Sequence, residues 1–157
     1  MQFSSVQDVN APLDFVFHEL SDFDSYEAYA MRVGAQVERK VDRIEKGPGI
    51  IWNVVGDFRG KTRDVDIELT EYRPDNVLKF MMTSKGIEAG ADFEAMALTR
   101  KQSRIKMTLN ITPKTISARL VLQSAKLARG SLNKKFNHRF WTYANYIENN
   151  YNRKMRA

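Results

Sequence analysis

Apolar residues recur every three or four positions in the first part of the chain, a spacing that predicts short helices. The first set on one helical face is Leu13, Val16, Phe17 and Leu20. Asn10 is predicted to cap this helix, and Pro12 falls near its first turn, where the missing N–H costs nothing. Asp22 or Asp24 is predicted to cap a second short helix. An amphipathic helix must lie on an apolar surface, so both are predicted to cover part of a larger structure.

Between Val33 and Thr112 apolar and polar residues alternate, which is the period of half-buried strands. The clearest alternating set is Ile105, Met107, Leu109 and Ile111. Turn residues separate the runs at 46–49, at Arg59-Gly60 or Gly60-Lys61, and at 73–76. With a short first strand at 3–9, the pattern predicts about seven antiparallel strands.

Helical periodicity returns after Pro113 and continues almost to the last residue. The apolar stripe runs through Ala125, Ala128, Leu132, Phe136, Phe140, Tyr143 or Ala144, Ile147 and Tyr151. A kink is predicted at Gly130-Ser131, and residues 116–122 are predicted to form a separate leading turn. The last part of the chain is therefore predicted to be one long amphipathic helix.

This order of elements predicts an α+β fold in which the long helix covers a curved antiparallel sheet. A helix about 10 Å across does not fill the concave face of such a sheet, so either large side chains fill the space or a cavity remains. The predicted inward-facing residues mix large with small: Trp52, Phe80, Met82, Phe93 and Met107 with Ala35, Gly56, Ala91, Ala95 and Ala97. The small residues favour a cavity, while a dry core packed by Met and aromatic side chains stays open as the alternative.

Composition narrows the choices further. The 157 residues are predicted to form one domain, 1–157, and no apolar run is long enough to span a membrane. With no Cys and no secretory signal pattern, a cytoplasmic location is expected. The charge is uneven, because residues 1–112 carry a net −3 and residues 113–157 a net +9. The basic part is interpreted either as the solvated outer face of a helix or as a contact for nucleic acid, ribosome or anionic membrane.

Short motifs spread over almost the whole chain carry a family resemblance. They are Val9-Asn10-Ala11-Pro12, Val16-Phe17, Leu20-Ser21-Asp22, Tyr26, 56–61, 71–74, and Tyr143, Tyr146, Ile147 and Glu148 near the end. Together they resemble the START-like SRPBCC superfamily, in particular its polyketide cyclase/dehydrase and lipid-transport branch. The resemblance implies a helix-grip fold: a curved seven-stranded antiparallel sheet wrapped around the long C-terminal helix, with two short helices between strands 1 and 2 closing one end of a hydrophobic tunnel. Members include lipid carriers, cyclases and a ribosome-associated toxin, so the fold does not choose the chemistry.

The predicted ligand-binding residues are those expected to face this tunnel. They are Trp52, Val54, Arg63, Val65, Ile67, Phe80, Met82, Phe93, Ala95, Met107, Leu109, Phe136, Phe140 and Tyr143. Three arginines, Arg39, Arg43 and Arg63, share strand parity with inward apolar residues and are candidates for holding a carboxylate, phosphate or enolate, although their places near strand ends favour solvent. Tyr72 and Tyr143 are candidate hydroxyl donors.

No catalytic residue, metal or cofactor is predicted. His18 and His138 are the two histidines, and neither lies on an apolar stripe. No group of ligating residues stands at metal-binding spacing.

Three function classes follow from these observations. The leading one is binding or transport of a hydrophobic small molecule, such as a lipid, quinone or polyketide-like compound. The second is a cyclase/dehydratase-like enzyme that uses the same cavity, with Arg63 or Tyr72 stabilising an enolate. The third is association of the basic C-terminal helix with ribosome, RNA or anionic membrane. Neither the ligand nor the oligomeric state is predicted.

Overall fold

The computed structural model describes all 157 residues and contains seven strands and four helices. In chain order they are β1 Gln2–Val9, α1 Leu13–Leu20, α2 Phe23–Arg32, β2 Gln36–Val41, β3 Ile51–Phe58, β4 Lys61–Arg73, β5 Val77–Ser84, β6 Ile87–Thr99, β7 Gln102–Pro113, α3 Ile116–Lys126 and α4 Arg129–Arg156. The predicted α+β fold is confirmed, with two short helices between the first two strands and a long C-terminal helix.

The strands form one antiparallel sheet in the order β1-β7-β6-β5-β4-β3-β2. Five hairpin-connected strands, β3 to β7, make up its centre. Arg59 and Gly60 form the tight β3–β4 turn, where both have positive φ, as a two-residue hairpin of matching twist requires. The sheet edges are β1 and β2, and each carries a helix: α4 packs mainly on β1, and α2 on β2.

The start of α1 differs from the prediction. The residue at the N-cap position is Pro12, which makes no side-chain cap, and Asn10 lies two residues before it. The Asn10 backbone N–H donates a hydrogen bond of 2.7 Å to Glu148 Oε1, near the far end of the chain. Asp22 does cap α2, because its carboxylate accepts from the Ser25 N–H.

The boundary between the last two helices also differs. The predicted leading turn is a full helix, α3, and the break lies at Leu127-Ala128 rather than at Gly130-Ser131. The N–H groups of Leu127 and Ala128 bond three residues back, to Ser124 and Ala125, which tightens the last turn and ends the helix. Gly130 lies inside α4, where a Cβ would meet only open space. The break predicted at Gly130 is wrong because this glycine adopts ordinary helical geometry within α4.

The hydrophobic core lies at one end of the sheet, beneath α1. Val16, Phe17 and Leu20 on the inner face of α1 are buried, as predicted. They pack with residues of the nearby strand ends and of the middle of α4: Val9, Ile50, Leu69, Leu78, Ala95, Ile105, Phe140, Ala144 and Ile147. Helix α1 therefore closes one end of the sheet. None of the helices is both long enough and apolar enough to cross a bilayer.

Candidate functional site

A cavity of about 410 Å³ lies beside this core, over the middle of the sheet. Thirteen of its fourteen lining residues are hydrophobic: Leu20, Phe23, Tyr26, Ala30, Val37, Trp52, Val54, Ile67, Phe80, Met82, Ala91, Phe93 and Met107. The register explains its position. On four adjacent strands, a core residue and a cavity residue are two positions apart on the same face: Leu69 and Ile67, Leu78 and Phe80, Ala95 and Phe93, Ile105 and Met107.

Aromatic rings form much of the cavity wall. The ring centroids of Phe23 and Trp52 lie 5.1 Å apart, and those of Phe23 and Phe80 lie 6.0 Å apart. Phe93 meets Phe80 edge to face at 6.1 Å. These edge-to-face contacts hold the rings in fixed orientations and leave their outer surfaces toward the cavity. The wall is therefore apolar and built from rigid side chains.

The one charged residue of the wall, Glu27, has its partners inside the protein. Its Oε1 accepts hydrogen bonds of 2.7 Å from the Trp52 Nε1–H and from the Arg39 Nε–H. Arg39 also donates to Asp24, and its guanidinium lies 5.7 Å above the Trp52 ring. The hydrogen bond to Glu27 raises the pKa of Arg39 further above its usual range. Arg39 thus neutralises the charge of Glu27, and Glu27 holds Trp52 in the wall.

A second hollow of about 360 Å³ adjoins the first, under α4. Its lining comprises Tyr26, Phe93, Met107, Phe136, Arg139, Phe140 and Tyr143, and the first three also line the main cavity. The two hollows therefore share a wall and lie side by side between sheet and helices. Phe136 is held on the opposite side by Phe3, with ring centroids 5.8 Å apart.

Two tyrosines stand where these hollows meet the surface. The hydroxyls of Tyr26 and Tyr143 share a hydrogen bond, and the Tyr26 hydroxyl also lies 3.1 Å from the carbonyl oxygens of Glu19 and Leu20. Tyr26 as a whole residue is 39% exposed, and its hydroxyl makes all three of these contacts. Loss of water around the hydroxyls is the main reason why the pKa of each tyrosine is raised above 10. Both side chains therefore stay neutral at ordinary pH.

Outside the tyrosine pair runs a groove of about 680 Å³ between α2 and α4. Tyr26, Tyr143 and Arg139 line both this groove and the hollow under α4. Arg139 forms no ion pair, so its guanidinium is available to an anionic group at this position. The pair thus occupies the passage between the outer groove and the apolar interior.

The structure brings ten of the fourteen predicted ligand-binding residues together around the two hollows. Those in the main cavity are Trp52, Val54, Ile67, Phe80, Met82, Phe93 and Met107, and those under α4 are Phe136, Phe140 and Tyr143. The other four line neither hollow. Ala95 lies on the core side, Val65 and Leu109 lie one inward position beyond the cavity, and Arg63 is exposed at the strand end. Parity places a residue on the correct face but does not say where along the strand the hollow lies.

The other polar candidates lie away from the cavity interior. Arg39 is engaged by acidic side chains, as described, and Arg43 is exposed. Tyr72 packs against Phe17, with ring centroids 5.9 Å apart, so it belongs to the packed end. His18 is exposed on α1, and His138 is exposed and stacks on Trp141. Among the small residues predicted to face inward, Ala91 lines the cavity, whereas Ala97 is exposed.

Sequence reasoning missed the contribution of α2 and of Arg139. Phe23, Glu27 and Ala30 follow one another at steps of four and three, which places them on one helical face toward the cavity. That signal was readable, but a charged residue on the inner face obscured it. Arg139 lies in a run of basic residues, and nothing in the sequence distinguishes it from its solvated neighbours.

No protein-family model matches the chain, and no curated protein sequence matches it. Solved structures do resemble it. The Zhui aromatase/cyclase from Streptomyces sp. R1128 has a TM-score of 0.67 at 16% identity, covering 100% of this chain and 96% of that chain. Norcoclaurine synthase from Thalictrum flavum has a TM-score of 0.60 at 13% identity, covering 78% and 75%. A START superfamily protein from Mycobacterium smegmatis has a TM-score of 0.57 at 10% identity, covering 85% and 95%.

These similarities extend over most of each chain at low sequence identity, so they show the fold alone. They agree with the seven-stranded sheet, the paired short helices and the long final helix. The chain therefore has a helix-grip fold like that of these solved structures.

Proposed function

We propose that the protein binds or carries a hydrophobic small molecule in the hollow between its sheet and α2, which adjoins the hollow under α4. The observation that carries this proposal is the cavity of about 410 Å³ in which thirteen of fourteen lining residues are hydrophobic. Pockets of roughly 300–1,000 Å³ suit small-molecule ligands, and burial of apolar surface contributes about 25 cal/mol per Å². An apolar body of the size of a lipid chain, a quinone or a polyketide-like ring system fits this description.

The entrance supports a ligand with one polar end. Arg139, Tyr26 and Tyr143 are the residues that line both the outer groove and the hollow under α4, and the rest of that hollow is apolar. A buried oxygen without a partner is costly, so the polar end belongs at the passage and the apolar body belongs inside. The ligand class is therefore an elongated or polycyclic apolar molecule that carries a carbonyl, hydroxyl or carboxylate at one end.

Trp52 offers a direct test, because it lines the cavity while Trp141, the other tryptophan, is exposed. In a Trp141→Phe background, titration with dodecanoate, a naphthoquinone and a polycyclic phenol should change Trp52 fluorescence saturably for at least one of them. Native mass spectrometry of protein from cells would identify a retained guest. If every ligand leaves Trp52 unchanged and no guest is retained, the proposal is wrong.

Arg139→Gln probes the polar end. It should weaken dodecanoate roughly three- to tenfold, by loss of a charge-assisted contact, and leave dodecanol unchanged. The control Arg119→Gln removes the same charge from α3, away from the passage, and should change neither ligand. Equal losses for the acid and the alcohol would mean that Arg139 does not hold the polar end.

A cyclase-like activity in the same cavity is the second candidate. Two of the similar folds are an aromatase/cyclase and norcoclaurine synthase, both enzymes by name. The Tyr26–Tyr143 pair supports it, because neutral tyrosine hydroxyls are able to donate a hydrogen bond to a developing enolate. Under this hypothesis Tyr143→Phe abolishes turnover of a bound polyketide-like substrate but keeps its binding. Recovery of the substrate unchanged after incubation with the protein would leave the carrier function alone.

A further inference from the structure

Helix α3 carries a stripe of large apolar side chains that nothing in the fold covers. Ile116, Leu120 and Leu127 are 80%, 59% and 92% exposed, and their spacing places them along one side of the helix. The opposite side is anchored, because Ala118 is buried and lies close to the turn at Gly86. The helix is therefore fixed to the sheet with its apolar stripe outward.

The same part of the chain is strongly basic. Residues 113–147 contain seven Lys or Arg and no Asp or Glu. Arg119 and Lys126 are seven residues apart, so they lie together on one flank of the apolar stripe. An amphipathic helix with apolar side chains bordered by cations is suited to the interface of an anionic bilayer, where the stripe enters the acyl boundary and the cations contact the headgroups.

A second feature at the same end of the sheet has the same character. The β3–β4 turn and the start of α3 both lie at the end opposite α1, as the strand register requires. At that turn Phe58 is 61% exposed and the guanidinium of Arg59 lies 5.6 Å above its ring. Two exposed apolar and basic elements thus occur at the end of the molecule that the core leaves open.

We propose that α3, with the Phe58 turn, docks the protein on an anionic lipid bilayer. The positive charge beside the apolar stripe distinguishes between the candidate partners of this surface. A second copy of this chain would bring its own seven cations against these, and a nucleic acid would gain nothing from the exposed aliphatic stripe. An anionic bilayer satisfies both the charge and the apolar side chains, and it would bring the cavity close to a source of apolar ligands. The docking surface does not depend on what the cavity holds.

Vesicle co-sedimentation tests this proposal with the full chain. Wild-type protein should pellet with phosphatidylcholine–phosphatidylglycerol vesicles but not with phosphatidylcholine alone, and salt should weaken the binding. Arg119→Gln with Lys126→Gln should reduce binding about thirtyfold, and Leu120→Ser with Leu127→Ser roughly as much. All four side chains are exposed, so an unchanged melting temperature verifies the fold.

The matched controls lie at the opposite end of the sheet. Leu98→Ser and Arg100→Gln with Lys101→Gln make the same chemical changes in or beside the exposed β6–β7 turn. These controls should bind vesicles like the wild type. Absence of vesicle binding, equal binding to neutral vesicles, equal losses in the controls, or a dimer that the Leu120 and Leu127 changes dissociate would each overturn the proposal. None of these results bears on ligand binding in the cavity, which is measured separately through Trp52.

Discussion

Beneath α1, Leu69, Leu78 and Ile105 are at most 1% exposed, yet two residues further along the same strands the side chains border a cavity. The difference lies in what covers the sheet. At the packed end, α1 places Val16, Phe17 and Leu20 onto the strands. At the hollow end, α2 packs on edge strand β2 and α4 on the opposite edge strand β1, so a hollow remains over the central strands between them. One sheet face thus supports stability at one end and leaves room for a ligand at the other.

Truncation of one side chain at each end should separate the two ends most clearly. Leu78→Ala removes a fully buried side chain from close packing and should lower the free energy of unfolding by about 2–5 kcal/mol. Met82→Ala, four residues along the same strand, borders the cavity and should cost about 1 kcal/mol or less. Urea denaturation measures both. Equal losses would mean that the two ends are packed alike.

Enlargement of two alanines on β6 gives the converse comparison. Ala95 lies in the core, so Ala95→Leu should overpack it and destabilise the protein by about 1–3 kcal/mol. Ala91 lines the cavity, so Ala91→Leu should change stability by no more than about 0.5 kcal/mol while it weakens ligand binding. Calorimetric melting and Trp52 titration measure the two effects. A strongly destabilised Ala91→Leu protein would argue against free space at that position.

Glu27 joins the helix α2 to the cavity wall. Glu27→Ala leaves the Trp52 N–H without its acceptor and removes a partner of Arg39, and should cost about 1–3 kcal/mol. Glu27→Gln keeps an acceptor for Trp52 and should cost less. The emission spectrum of Trp52 in the Trp141→Phe background should shift in the Ala variant, because the ring loses its fixed position. Identical stabilities for the two variants would show that the hydrogen bond to Trp52 is not what matters.

The tyrosine pair should give the smallest effect, as a pH dependence. Burial raises the pKa of Tyr26 and Tyr143 in the folded state, whereas the unfolded chain ionises near pH 10. Above pH 10 the unfolded state holds fewer protons than the folded state, so the free energy of unfolding should fall as pH rises further. The double change Tyr26→Phe and Tyr143→Phe should flatten that fall. An unaltered slope would place the hydroxyls in contact with water.

Much of this arrangement could be predicted from the hydrophobic periodicity and the turn residues of the sequence. Alternation in the strands and the steps of α1 gave the sheet, its covering helix and the inward face, because these patterns reflect local geometry. The limits of the cavity were not readable, since they depend on where helices end above the sheet. Val65 and Ala95 have the parity of cavity residues. Val65, however, lies beyond the hollow, and Ala95 lies in the core. The Asn10 cap was wrong because α1 begins after Pro12, two residues beyond Asn10.

Crystals of the protein under xenon pressure would test the contrast between the two ends most directly, because xenon enters dry apolar cavities and is visible as electron density. Density should be found among Ile67, Phe80 and Met107 and not among Leu69, Leu78 and Ile105. Xenon absent from the first group, or present equally in both, would contradict the account of a sheet that is packed at one end and hollow at the other.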